Sequence, residues 1–272
     1  MTKTYDEGEA KAIVRLVLEK HFGLSMADII CGKVNELSAN DKKLLEEIIE
    51  RLEKAEPVQY VLGEASFYGR NFHVEPGVLI PRPETAELCK MIIQSAQCTV
   101  QNSLRILDIG TGSGCIAITL ALEIPHADVT AWDISNTALQ IARNNAEYLG
   151  TKVTFQQKDI LSTDILGSSE QWDVIVSNPP YICQQERQNM ADNVLQYEPE
   201  GALFVPDEEP LLFYRAIACY AKKTLKKDGR LFFELNPLYA EHTKDMLDEY
   251  GCSQTEIISD QFGKQRFTQS IW

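Results

Sequence analysis

The chain is short of positive charge. Its 26 Lys and Arg stand against 40 Asp and Glu, a formal net charge of −14. A field of that sign repels a phosphate backbone, so direct nucleic-acid binding is not expected. Histidine is also scarce, and the four present (His21, His73, His126, His242) group with nothing obvious. The seven cysteines (Cys31, Cys89, Cys98, Cys115, Cys183, Cys219, Cys252) are never closer than nine positions apart. No Cys-x-x-Cys or His-Glu-x-x-His pattern occurs, so no metal site is expected. An odd, scattered set of this kind reads as reduced thiols. No apolar run reaches the ~18 residues of a membrane span. The first residues, Met1 to Glu7, carry early acids and no apolar segment, so no signal peptide is expected. These absences point to a cytoplasmic protein, and 44% hydrophobic residues supply ample core.

With 272 residues the chain fits one large domain, or a core domain with an appendage. Up to about residue 62 it reads as helical. Ala10, Ile13, Val14, Val17 and Leu18 fall on one helical face, and Leu44, Leu45, Ile48, Ile49 and Leu52 on another. Ser38 and Asp41 form a capping-box pair ahead of the second helix, and Pro57 stops it. Leu24 to Ile30 fits a short helix between them. A β-hairpin is expected from Phe67 to Phe72, turning at Gly69-Arg70-Asn71. Leu79-Ile-Pro-Arg-Pro-Glu-Thr85 then leads into a helix over 84–97.

From Leu104 onward strands and helices alternate. Strands are expected at 104–109, 128–133, 152–156, 172–177 and 230–235, and helices at 114–123, 135–149, 209–224 and 238–250. Two last strands, 253–259 and 265–271, flank Phe262-Gly263. Alternation predicts an α/β fold, a mostly parallel sheet covered on both faces, with an antiparallel edge hairpin. The expected domains are a helical unit over 1–75, a connector over 76–100 and the α/β unit over 101–272.

Two stretches carry chemistry. Val174-Ile-Val-Ser-Asn-Pro-Pro-Tyr181 is a buried strand stopped by two prolines. The turn has few N–H donors and free carbonyl oxygens, with the Asn178 amide and the Tyr181 ring beside them. Two acceptors and an aromatic face suit a planar –NH2 group, although an ordinary proline turn after a strand is the simpler alternative. The second stretch, Asp108-Ile-Gly-Thr-Gly-Ser-Gly114, ends the first strand of the sheet. Glycines there allow a ligand close to the backbone. The nicotinamide-type Gly-x-Gly-x-x-Gly spacing is not met, because Cys115 stands where the third glycine would. Asp133 ends the second strand, placed to accept from the hydroxyls of a ribose.

The glycine spacing resembles the S-adenosylmethionine loop of class I methyltransferases. The whole chain resembles the glutamine-N5 methyltransferases that modify peptide chain release factors, the PrmC/HemK family. The likeness rests on Glu56-Pro-Val-Gln-Tyr-Val-Leu-Gly63, the Phe67 to Phe72 hairpin, Leu79 to Thr85, the glycine loop and Ser177-Asn-Pro-Pro-Tyr-Ile182. It continues through Tyr197-Glu-Pro199, Ala202-Leu203 and Gly263-Lys-Gln-Arg266. The resemblance implies a class I, Rossmann-like methyltransferase fold with a small N-terminal helical substrate-recognition domain. It implies S-adenosyl-L-methionine as cofactor, with S-adenosyl-L-homocysteine as product. Gly110, Thr111, Gly112, Ser113, Gly114, Asp133 and Asn178 would contact it, and Asp159 and Ile160 would bracket the adenine. Asn178, Pro179, Pro180 and Tyr181 would hold and activate the glutamine of a Gly-Gly-Gln loop. Some family members have tryptophan in place of Ile160, and some end the fifth strand Glu-x-Gly, where this chain reads Glu234-Leu-Asn236. The expected partner is a release factor and the expected state a monomer. Rival readings are a ribosomal-protein glutamine methyltransferase, an adenine or guanine amino-methyltransferase acting on nucleic acid, and a non-catalytic S-adenosylmethionine-binding scaffold.

Overall fold

The structure, a computed structural model, describes residues 5–97, 103–167 and 169–272. Cys98, Met1 to Thr4 and the domain boundary expected at residue 100 lie outside the described residues. The N-terminal part contains α1 (Glu7–Phe22), α2 (Met26–Ile30), α3 (Ala39–Glu53) and α4 (Val58–Leu62). Asp6 caps α1 through the Glu9 N–H, and Gly23 ends it in the left-handed conformation. Ser38 caps α3 by accepting from the Asp41 N–H, while its hydroxyl donates to the Asp41 carboxylate, and the full capping box forms at α2, where Ser25 pairs with Asp28. Ala10, Ile13 and Val17 pack on Ile48, Leu52 and Val61 in a small core of their own. Leu44 faces solvent, at the outer margin of its helical stripe.

Strands β1 (Glu64–Phe67) and β2 (Arg70–His73) pair antiparallel. The turn is Tyr68-Gly69, not Gly69-Arg70-Asn71, and both of its residues have positive φ. That is the turn whose twist matches a two-residue hairpin, and it leaves Arg70 and Asn71 in the strand. Phe67 and Phe72 leave the hairpin edge to face and join the core that holds Leu88 and Ile92 of α5 (Pro83–Gln97).

The α/β part runs β3 (Arg105–Ile109), α6 (Cys115–Glu123), β4 (Asp128–Asp133), α7 (Asn136–Tyr148), β5 (Thr154–Gln157) and β6 (Trp172–Ser177). Next come β7 (Ile182–Cys183), α8 (Asp192–Tyr197), α9 (Glu200–Leu203), β8 (Phe204–Val205) and α10 (Leu212–Thr224). The chain finishes with β9 (Leu225–Glu234), α11 (Ala240–Tyr250), β10 (Gln254–Ser259) and β11 (Gln265–Ile271). The sheet order is β10-β11-β9-β6-β3-β4-β5, parallel except for β11, which runs against both of its neighbours.

Side chains alternate between two cores, as strand pleating requires. Ile106, Val174, Val176 and Phe232 face α5 and α6, whereas Leu107, Ile175, Leu231 and Phe233 face α10 and α11. Every residue of β6 is buried: the apolar run Val174–Val176, as its composition predicts, and with it the polar Asp173 and Ser177. The chain leaves β3 toward β4 on one side, and β6 lies on the other. The C-terminal ends of β3 and β6 therefore flank the point where strand order reverses, the place where open α/β sheets bind ligands.

Candidate active site

Both chemistry-bearing stretches emerge at that point. The Ser177 hydroxyl donates to the Ile109 carbonyl at 2.6 Å, so the glycine loop and the Asn-Pro-Pro-Tyr turn start side by side. The loop is rigidly pinned. Gly110 and Thr111 N–H both donate to the Trp132 carbonyl, and Gly112 N–H donates to Asp133 Oδ2 at 2.9 Å. The Thr111 hydroxyl donates to Asp108 Oδ2 at 2.6 Å, and Ala117 N–H reaches the same oxygen at 3.2 Å.

The three glycines serve two purposes. A Cβ on Gly110 or Gly112 would meet nothing within 4 Å, so those two positions border open space. A Cβ on Gly114 would lie 2.8 Å from Ile118 Cδ1 and 3.0 Å from Ala142 Cβ, so this glycine lets α6 and α7 pack closely. All three have positive φ, which glycine adopts without a Cβ penalty.

Asp133 is half-buried and accepts from Gly112 N–H and from Ser135 N–H at 2.9 Å. Burial raises its pKa, while those backbone donors oppose the rise. Beside it Ile134 is 63% exposed, an apolar residue unspent by the core. Asp159 Oδ1 is engaged by Leu161 N–H at 2.8 Å, and Ile160 packs against the core around Trp132. Lys158 Nζ sits 4.0 Å above the Trp132 ring. Asp108 is fully buried with Oδ1 unpaired, and burial pushes its pKa to about 7.

The Asn-Pro-Pro-Tyr turn opens on a cavity of about 320 Å³ lined by Leu79, Arg82, Asn178, Tyr181, Val194 and Leu203, with Glu234 at its inner wall. Asn178 Nδ2 donates to Thr85 Oγ1 at 3.3 Å, and Thr85 Oγ1 donates to Glu234 Oε2 at 2.7 Å. The Tyr181 hydroxyl donates to the other Glu234 oxygen at 3.3 Å. Glu234 is buried, which raises its pKa, with Thr85, Arg266 and Tyr181 acting against the rise. Burial also raises the Tyr181 pKa, so its hydroxyl stays a donor. Pro179 is buried and Pro180 half-buried, each a residue without an N–H to place in the cavity.

Several of these partners could not be read from the sequence. Glu198 accepts from Arg82 and, at 3.1 Å, from Ile80 N–H, joining two segments that form one wall of the cavity. Asn236 Nδ2 donates to the Tyr181 carbonyl at 3.0 Å and to Glu186 Oε1 at 2.9 Å. The departure from Glu-x-Gly therefore supplies a brace for the Tyr181 turn. Asn145, fully buried in α7, accepts from His73 N–H and donates to the His73 and Ser113 carbonyls. It ties the hairpin to the glycine loop.

Residues 3–63 match the family model described as PrmC N-terminal domain, and residues 89–203 match the Methyltransferase small domain. The chain is 49% identical over 263 residues to a release factor glutamine methyltransferase of Bacteroides thetaiotaomicron, a match covering 96% of this chain and 92% of that one. The chain belongs to the release factor glutamine methyltransferase family. A relative of the same name from Flavobacterium psychrophilum is 40% identical, over 98% of this chain and 93% of its own. Among solved structures, a T. thermophilus 16S rRNA N2 G1207 methyltransferase in complex with AdoMet and guanosine superposes with a TM-score of 0.55 at 19% identity. That match covers 76% of this chain and 49% of the other, and it bears on the fold alone. The fold is that of a class I methyltransferase, and the cofactor of this family is S-adenosylmethionine. Open space over Gly110 and Gly112, the Asp133 carboxylate and the exposed Ile134 fit its sugar and base. Among the described residues no helix is long and apolar enough to cross a membrane.

Proposed function

We infer that this chain methylates the side-chain amide nitrogen of the glutamine in the Gly-Gly-Gln loop of peptide chain release factors. The observation that carries the reading is the position of Asn178, next to the glycine loop and at the mouth of the cavity, with its amide nitrogen already engaged by Thr85.

The bound cofactor supplies a methyl group on a positively charged sulfur, open to in-line displacement. An amide nitrogen attacks poorly because its lone pair is delocalised into the carbonyl. Asn178 Oδ1 and the Pro179 carbonyl accept its two N–H groups, which aligns the nitrogen and favours its pyramidal form. Tyr181 lays an aromatic face against the amide plane. Catalysis then rests on positioning and on acceptors aimed at growing positive charge. Glu234 is not a base in this scheme, because its oxygens are turned to Thr85 and Tyr181. As the methyl leaves sulfur for nitrogen, the proton that the nitrogen gives up passes to solvent.

Gly110, Thr111, Gly112 and Ser113 border the cofactor, and Gly114 sets the loop against α7. Asp133 takes the ribose hydroxyls, and Ile134 with Ile160 flanks the base. Asp159 keeps its second oxygen for the exocyclic amine. The N-terminal helices, residues 1–75 with the hairpin, dock the protein substrate. The cavity, narrow and walled by Leu79, Val194 and Leu203, suits an extended side chain reaching in from a loop.

The test is incubation with methyl-labelled cofactor and, separately, purified release factors, ribosomal proteins and DNA. Label on a release factor supports the reading. Label on a ribosomal protein or on DNA alone replaces it with one of the rivals.

A further inference from the structure

We propose that Thr85 and Glu234 are positioning residues that fix which way round the Asn178 side-chain amide sits. The inference rests on the preceding reading, in which Asn178 Oδ1 accepts a substrate N–H.

An asparagine amide is nearly symmetric in shape, so packing alone does not tell its oxygen from its nitrogen. Hydrogen-bond polarity does. The Glu234 carboxylate only accepts, and the Thr85 hydroxyl has a single proton. At 2.7 Å that proton is committed to Glu234 Oε2. Thr85 Oγ1 can then only accept from Asn178, so it takes the Nδ2 end at 3.3 Å. The Asn178 oxygen is left for the cavity that the residue lines. With the amide turned over, an NH2 group would face the substrate NH2 group, donor against donor, and the nitrogen would lose its acceptor.

The rest of the surroundings serves the same end. The second Glu234 oxygen accepts from the Tyr181 hydroxyl, so one carboxylate holds both ends of the Asn-Pro-Pro-Tyr turn. Arg266 faces Glu234 and favours its charged form, and Arg266 is itself paired with the buried Asp260 at 3.3 Å. This gives a physical task to Thr85, at the end of the Leu79–Thr85 segment, and to Arg266, at the end of Gly263–Arg266. Neither touches the reacting atoms in this scheme.

The experiment measures kcat and KM for methylation of a whole release factor by wild type, Thr85→Val, Thr85→Ser and Glu234→Gln. Cofactor affinity by calorimetry and thermal melting run alongside. Thr85→Val keeps the shape and removes the polarity, so kcat should fall about ten-fold or more, with KM and cofactor affinity within about three-fold. Thr85→Ser restores the hydroxyl and should return kcat to within about three-fold of wild type. Glu234→Gln can present an NH2 to Thr85 and reverse the chain of donors, so its kcat should fall at least as far. If Thr85→Val melts too low to assay, Glu234→Gln and Thr85→Ser decide the matter. Wild-type kcat in either Thr85→Val or Glu234→Gln overturns the proposal, as does a Thr85→Ser variant that folds and stays slow. Failure of wild type itself to methylate any release factor would overturn the functional reading, and the proposal with it.

Discussion

Glu198 Oε2 accepts the backbone N–H of Ile80 at 3.1 Å, across 118 positions of sequence. The Glu198 side chain is 1% exposed and also holds the Arg82 guanidinium. One buried carboxylate thereby clamps the approach to α5 onto the end of α8, and the next residue back, Tyr197, donates to the Lys54 carbonyl at 2.9 Å. The wall of the cavity is thus a joint between segments far apart in the chain. Glu198→Ala leaves the buried Ile80 N–H without an acceptor, a loss of about 1–3 kcal/mol. We expect lower stability in chemical denaturation and a raised KM for the release factor. Glu198→Gln keeps an acceptor and should lose less of both. Equal stability in wild type and Glu198→Ala would contradict the clamp.

Asp133→Ala should weaken the cofactor. It removes the proposed acceptor for the ribose and also the anchor for the Gly112 and Ser135 N–H groups. Loss of charge-assisted hydrogen bonds of this kind costs roughly 1.5–3 kcal/mol, about ten- to a hundred-fold in affinity. Calorimetric titration with cofactor measures it directly, and an unchanged dissociation constant would place the ribose elsewhere.

Gly112→Ala and Gly114→Ala should fail in different ways. At Gly114 the new methyl meets Ile118 Cδ1 at 2.8 Å in a packed region and the backbone keeps φ +83, so the fold itself suffers. Overpacking adds about 1–3 kcal/mol to the strain of positive φ. At Gly112 the methyl meets no protein atom within 4 Å and projects into open space. Its stability cost is backbone strain alone, about 1–2 kcal/mol, and the greater loss should be in cofactor affinity. Paired melting curves and titrations separate the two, and wild-type cofactor affinity in a folded Gly112→Ala would refute the assignment.

Asp108 predicts a pH dependence of stability. Its carboxyl has an ordinary pKa of 3.8, raised to about 7 in the folded chain mainly by burial. Its stabilising contribution is therefore complete below the unfolded value and is lost as pH rises through the folded one. The charged form costs on the order of 4 kcal/mol by neutral to mildly alkaline pH. Asp108→Asn does not titrate there. Its unfolding free energy, taken relative to wild type in the absence of cofactor, should improve by about 2–3 kcal/mol between about pH 5 and about pH 8. A difference that stays flat with pH would show that Asp108 titrates normally.

Much of the architecture was legible because it follows from local rules. The alternation of strands and helices, the Ser38 cap, the buried β6 run and the antiparallel terminal pair depend on neighbours in sequence, and all are present, although Asp41 reaches the Ser38 hydroxyl and not its backbone N–H. The hairpin was misplaced by a residue, because Tyr68 adopts a positive φ that glycine would be expected to supply. Strand β9 begins at Leu225, earlier than its apolar run indicates, since Leu225 pairs with Trp172 across a register shift in the β6–β9 ladder. The glycine loop and the Asn-Pro-Pro-Tyr turn could be recognised from residue type and spacing. Their supports could not. Thr85 and Glu234 are 149 positions apart, and nothing in either stretch announces that they meet. Asn145 reads as an ordinary polar residue of an amphipathic helix, yet it is fully buried and bonded to strand β2 and to the glycine loop. Short elements such as α8, α9 and β7 carry too few residues for a period, although they wall the cavity.

The most direct measurement is peptide mass mapping of a release factor after incubation with the enzyme and cofactor, for wild type and Asn178→Ala. The account predicts a single methyl on the side-chain amide of the Gly-Gly-Gln glutamine. Asn178→Ala should place it there with turnover reduced on the order of 10²–10³-fold at saturating cofactor. Asn178→Asp should not restore the rate fully, because it keeps an acceptor but loses the NH2 that Thr85 engages. A methyl on any other residue, or near wild-type turnover by Asn178→Ala, would contradict the account.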